Sequence, residues 1–99
     1  MRTMMKIKID IEAGSRAVAD GTIGRLMEQV LGPLQPEAAY FGPEDGMRTA
    51  WIVFDLQDPS QLPALTEPLF RELKATVQMV PVMNQEDLQK GLQQLGQAG

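Results

Sequence analysis

From Met5 to Glu12 apolar and charged side chains alternate one for one, Met5-Lys6-Ile7-Lys8-Ile9-Asp10-Ile11-Glu12. A period of two marks a strand with one buried face. The pattern therefore predicts a first strand over these eight residues, closed by Ala13-Gly14-Ser15. The period then changes. Ile23, Leu26, Met27, Val30, Leu31 and Leu34 recur every three or four residues, which places them on one stripe of a helix. Asp20 is a suitable N-cap and Pro33 obstructs continuation, so the first helix is expected over about 20–32.

A short strand is expected around 37–42, holding Ala38-Ala39-Tyr40-Phe41, and the Gly42-Pro43-Glu44-Asp45-Gly46 segment reads as a turn. The run Met47 to Leu56 is rich in β-branched and aromatic residues and apolar on nearly both faces, which predicts the most buried strand. Asp58-Pro59-Ser60 opens a second helix, with Asp58 as cap and Pro59 in the first turn, where its missing N–H costs nothing. Leu62, Leu65, Leu69, Phe70 and Leu73 form its stripe, and Pro68 is expected to kink it. Thr76 to Met83 reads as a fourth strand whose Pro81 belongs at an edge or a bulge. Asn84-Gln85-Glu86-Asp87 starts a last helix with a narrow stripe of Leu88, Leu92 and Leu95, expected to fray at Gly96.

The order β-α-β-β-α-β plus a terminal helix predicts an α+β, ferredoxin-like domain: a four-stranded antiparallel sheet with helices on one face. The 99 residues suit one domain, 1–99, with no internal repeat. Thirteen acidic and nine basic side chains leave a net charge of −4, and the basic residues are scattered. Nucleic acid and anionic membranes need a basic patch, so neither is an expected partner. No apolar run approaches the roughly 20 residues of a membrane span, and the N-terminus lacks a signal-peptide core, so a cytoplasmic protein is expected. The chain has no histidine and no cysteine. That excludes thiol nucleophiles, histidine bases, zinc fingers and haem held by either residue.

The element order, together with Asp55-Leu56-Gln57-Asp58-Pro59-Ser60 and Pro81-Val82-Met83-Asn84-Gln85-Glu86-Asp87-Leu88, resembles the dimeric α+β barrel superfamily, in particular its small stand-alone bacterial members. The resemblance runs from Lys6 to Leu95 and brings no catalytic motif with it. It implies a homodimer whose two sheets pack face to face around a cavity. That superfamily includes haem-degrading monooxygenases, chlorite dismutase-like proteins, antibiotic-biosynthesis monooxygenases and muconolactone isomerases. Its haem-dependent members hold iron through a histidine, which this chain lacks, so no cofactor is expected.

Strand alternation sorts the candidate residues by face. Met5, Ile7, Ile9 and Ile11 are expected toward the helices, which turns Lys6, Lys8, Asp10 and Glu12 toward the opposite, uncovered side. On the third strand Ala50, Ile52, Phe54 and Leu56, with Arg48, share the helix side, whereas Thr49, Trp51, Val53 and Asp55 share the uncovered one, joined by Gln78, Val80 and Val82. Either Tyr40 or Phe41 points the same way. A pocket of Lys8, Asp10, Tyr40, Trp51 and Gln78 would supply an aromatic wall, a cation for a carboxylate or enolate, and a carboxylate able to move a proton. The commoner uses of such residues are an interface ion-pair ladder for the charges and an interface anchor for Trp51. Asp58, Glu86 and Asp87 are explained as helix-start residues, and no metal site is expected. The expected function is binding of a small organic molecule on the sheet face of a homodimer. The alternatives are a cofactor-free isomerase or monooxygenase acting on a small aromatic or lactone-like substrate, and a protein-interaction module.

Overall fold

The computed structural model describes residues 1–98. Its elements run β1 (Arg2–Lys8), α1 (Ile11–Asp20), α2 (Thr22–Leu34), β2 (Ala38–Glu44), β3 (Met47–Asp55), a single 3-10 turn (Pro59–Gln61), α3 (Leu62–Leu73), β4 (Thr76–Pro81) and α4 (Gln85–Ala98). The four strands form one antiparallel sheet in the order β2-β3-β1-β4. This is a ferredoxin-like α+β fold with an additional C-terminal helix.

The first strand begins three residues earlier and ends four residues earlier than its pattern predicts, and the alternation misleads at its end. Ile9-Asp10-Ile11-Glu12 continues the period of two but is not strand. Asp10 is the N-cap of α1, its Oδ2 accepting the Ala13 N–H at 3.0 Å. A helix follows because Ala13, Gly14 and Ala17 give it a small, flat buried face, which lets α1 lie close to the sheet. The helical region is thus two helices, broken at Gly21 (φ 79°). Asp20 closes α1, and its Oδ1 still accepts the Thr22 N–H at the start of α2. Pro33 sits inside the last turn of α2, and the helix runs on to Leu34, ending in a left-handed Gln35. Likewise α3 continues through Pro68 to Leu73, and α4 continues through Gly96 to Ala98.

The central strands β1 and β3 carry the core. Met5, Ile7, Ile52 and Phe54 are at most 1% exposed and meet Leu65, Leu69 and Leu73 of α3 and Leu26 and Val30 of α2. All of this lies on one side of the sheet. The hairpin between β2 and β3 turns on Asp45-Gly46, both at positive φ (54° and 75°). This is the two-residue turn whose twist matches that of the strands, and Asp-Gly is among its preferred sequences. The β2 strand therefore extends to Glu44, taking in three residues of the expected turn.

Both edge strands carry a proline, Pro43 in β2 and Pro81 in β4. Val82 donates its N–H to the Arg2 carbonyl at 3.1 Å. Alternation along an antiparallel ladder then makes position 81 one whose amide direction is outward, where proline loses no bond.

The last helix stands apart. The molecule is elongated, 57 × 29 × 17 Å, and α4 carries Leu88, Leu92 and Leu95 at 44%, 55% and 70% exposure. Its first turn is tied down. Asn84 and Asp87 cap each other's backbone N–H groups at 3.1 and 2.8 Å, and Asp87 also accepts from Arg2 of β1 at 2.7 Å. Replacing Asp87 by Ala is expected to cost about 1 kcal/mol of helix stability. Because the helix packs so little, the effect should be local. Amide exchange should quicken throughout α4 while the sheet core keeps its protection.

Candidate functional site

Register settles which side chains share the uncovered side of the sheet. Tyr40 pairs Trp51, Trp51 pairs Lys6 and Lys6 pairs Gln78, so these four cross the sheet in one row. On one side of that row run Ala38, Val53, Met4 and Val80, and on the other Gly42, Thr49, Lys8 and Thr76. Of the five residues expected to form a pocket, Lys8, Tyr40, Trp51 and Gln78 lie on this open face. Asp10 does not. Its carboxylate is engaged by the first turn of α1, and the same helix start carries Ile11 and Glu12 off the sheet. Tyr40, not Phe41, takes the open face, since its partner is Trp51 whereas Phe41 pairs Ala50.

The face is apolar in the middle and charged toward the hairpin. Trp51 is half-buried and leans toward Gly42, where a Cβ would sit 3.8 Å from its Cζ3. Tyr40 and Val80 are 69% and 48% exposed, with no helix above them. Lys6 and Lys8 do not pair with Asp10 and Glu12. Both reach Glu44, Lys8 at 3.0 Å, and Lys8 also meets Asp45 at 2.9 Å. These ion pairs bridge β1 to β2 across β3, and Thr49, the β3 residue beside Lys8, is buried. The hydrogen bonds that Lys8 donates to Asp45 and then to Glu44 raise its pKa above the ordinary value. The ammoniums of Lys6 and Lys8 hold the Glu44 carboxyl below its own.

The signs give a pH dependence. A carboxyl whose pKa is depressed on folding stabilises the fold above its unfolded pKa and loses that contribution as pH falls through the folded value. A lysine whose pKa is raised contributes below its unfolded pKa and loses the contribution at higher pH. The Lys6-Glu44-Lys8 cluster therefore stabilises the protein between the ordinary glutamate value of 4.5 and the ordinary lysine value of 10.5. Glu44→Gln is expected to lower stability at pH 7 and to flatten the decline between pH 5 and 3. Urea unfolding across that range checks it, and the wild-type decline surviving intact would contradict it. The lysines' exposure to solvent keeps the effect small and makes it fade with salt.

A groove also lies on the other side of the sheet. About 720 Å³ in volume, it runs between the β2–β3 hairpin and the starts of α1 and α2, lined by Ile11, Ile23, Met27, Phe41 and Met47, with Arg48 as its one charged residue. Ile11 and Phe41 are 56% and 62% exposed. The sequence reading placed Arg48 on the helix side but had Gly14-Ser15 as the end of a strand. The signal for a helix there was the spacing of Ala13, Gly14 and Ala17, small residues one turn apart.

Asp58 caps the turn before α3, with Gln61 returning the bond to its backbone, so it serves as the sequence predicts. No helix among the described residues is long and apolar enough to cross a membrane. No protein-family model matches the chain, and no curated protein is significantly similar to it.

Proposed function

We propose that the protein is a homodimer of the dimeric α+β barrel type, in which the open sheet faces of two chains pack together and a small organic molecule binds between them. The observation that carries this reading is the uncovered row Tyr40-Trp51-Lys6-Gln78 with the apolar row Ala38-Val53-Met4-Val80 beside it. Large aromatic surface at the centre of an uncovered face, rimmed by charge, is the composition of a protein interface. A second copy supplies the missing layer. Trp51 and Tyr40 then offer flat walls for a ligand, and Gln78 a hydrogen-bonding group.

The geometry favours binding over catalysis. Lys8 is held charged by two carboxylates, which leaves it unsuited to act as a general base. Asp10 is consumed as a helix cap.

Native mass spectrometry of the gently purified protein tests the reading. A species of twice the 10.9 kDa chain mass is expected, with additional retained mass if ligand survives purification. Trp51 fluorescence should shift when that ligand is removed. A monomer across the micromolar range would overturn the dimer and the ligand site with it.

A further inference from the structure

We propose that the groove beneath the β2–β3 hairpin is a second binding site, for a small molecule with an apolar body and a carboxylate that Arg48 receives. It lies on the side of the sheet opposite the face proposed to pair, so it stands or falls independently of the dimer.

Size and lining come first. A volume of about 720 Å³ falls within the range of small-molecule sites, roughly 300–1,000 Å³. Ile11 and Phe41 line the groove and remain largely exposed, and Met27 and Met47 line it with them. Methionine adapts to the shape of an apolar guest better than branched side chains do.

Charge then selects the guest. Arg2, Lys6 and Lys8 are each paired with carboxylates. Arg48 has no such partner among the described residues, as is also true of Arg16, Arg25, Arg71, Lys74 and Lys90, but of these it alone lines the groove. Its one hydrogen bond is a long one, from Nη1 to Ser15 Oγ at 3.4 Å. The site is shaped around this side chain. A Cβ at residue 14 would lie 3.0 Å from Ile9 Cγ2, 3.1 Å from Arg48 Nη1 and 3.4 Å from Arg48 Cδ, so glycine lets both Ile9 and the arginine lie against the first turn of α1. A guanidinium donates two parallel N–H bonds to a carboxylate, and the Ser15 hydroxyl stands beside it as a third donor. With a single cation and otherwise apolar walls, the matching ligand carries one negative charge at one end.

Octanoate is a suitable probe, titrated into the isotope-labelled full chain and followed by amide chemical shifts. Octanol and octylammonium serve as matched controls. Octanoate should move the amides of Ile11, Ser15, Phe41, Met47 and Arg48 and leave those of Lys6, Trp51 and Gln78 in place. Octanol should bind about tenfold more weakly or worse, and octylammonium more weakly still. Arg48→Gln should weaken octanoate by about tenfold or more while leaving octanol unchanged, and Arg48→Lys should fall between. Arg48 is exposed, so the fold should survive, and the spectrum of the variant itself reports that. Equal binding of octanoate and octanol, or indifference to Arg48→Gln, would overturn the proposal. So would shifts centred on Trp51. Groove amides that move with protein concentration alone would assign the groove to a second copy of the chain instead.

Discussion

Phe54→Ala is expected to cost about 3–5 kcal/mol, the largest loss available from one side chain in this protein. Phe54 is 1% exposed on β3, between α3 and the neighbouring strands. Truncating it removes the transfer energy of the ring and leaves a hole that Ile52, Leu69 and Leu73 cannot close without leaving their own contacts. A chain of this length has roughly 5–15 kcal/mol of stability in total, so the variant should be marginal at 37 °C. Thermal unfolding should show a midpoint lowered by roughly 15–30 °C. A loss below about 1 kcal/mol would mean that the core around β3 collapses far more readily than its packing implies.

Trp51→Ala should have the second-largest effect, on assembly rather than on folding. Trp51 occupies the centre of the open face, flanked by Tyr40 and Lys6. Tryptophan at the middle of an interface commonly contributes 2 kcal/mol or more, so the dimer dissociation constant should rise by about 30-fold or more. Sedimentation equilibrium over a range of concentrations measures this directly. Circular dichroism should remain that of the folded chain, because the Trp51 ring lies outside the core that holds the helices to the sheet. Tyr40→Glu provides a second test at a residue that is 69% exposed and unlinked to the core. If both variants dimerise as the wild type does, the open face is not the interface.

The sequence was informative wherever one period held without competition. The strand β3, the Asp58-capped turn that leads into α3, and β4 lie within two residues of their predicted bounds, because alternation, stripe and capping residue agree there. It misled where two readings shared the same residues. Ile9-Asp10-Ile11-Glu12 satisfies the strand period, and only the capping bond of Asp10 and the small residues after it decide for a helix. That one boundary removed Asp10 from the candidate pocket. It also concealed the groove, since Ile11 and Ser15 line it only as members of α1. The partners of Lys6 and Lys8 were beyond reach for another reason. They lie on a hairpin tip some 37 residues away from Lys8, and nothing local announces a pairing set by how two strands align.

The edge prolines restrict how chains of this protein can accumulate. A bare strand edge is a template, and a copy that adds its own edge there exposes another, so growth by that route has no natural end. Pro43 and Pro81 interrupt both templates with positions that offer no amide hydrogen. The flat of the sheet, by contrast, can be covered only once. Crowded or overexpressed chains should therefore settle into closed, countable species rather than fibrils, and replacing both prolines with valine would remove that safeguard while leaving every strand of the fold intact.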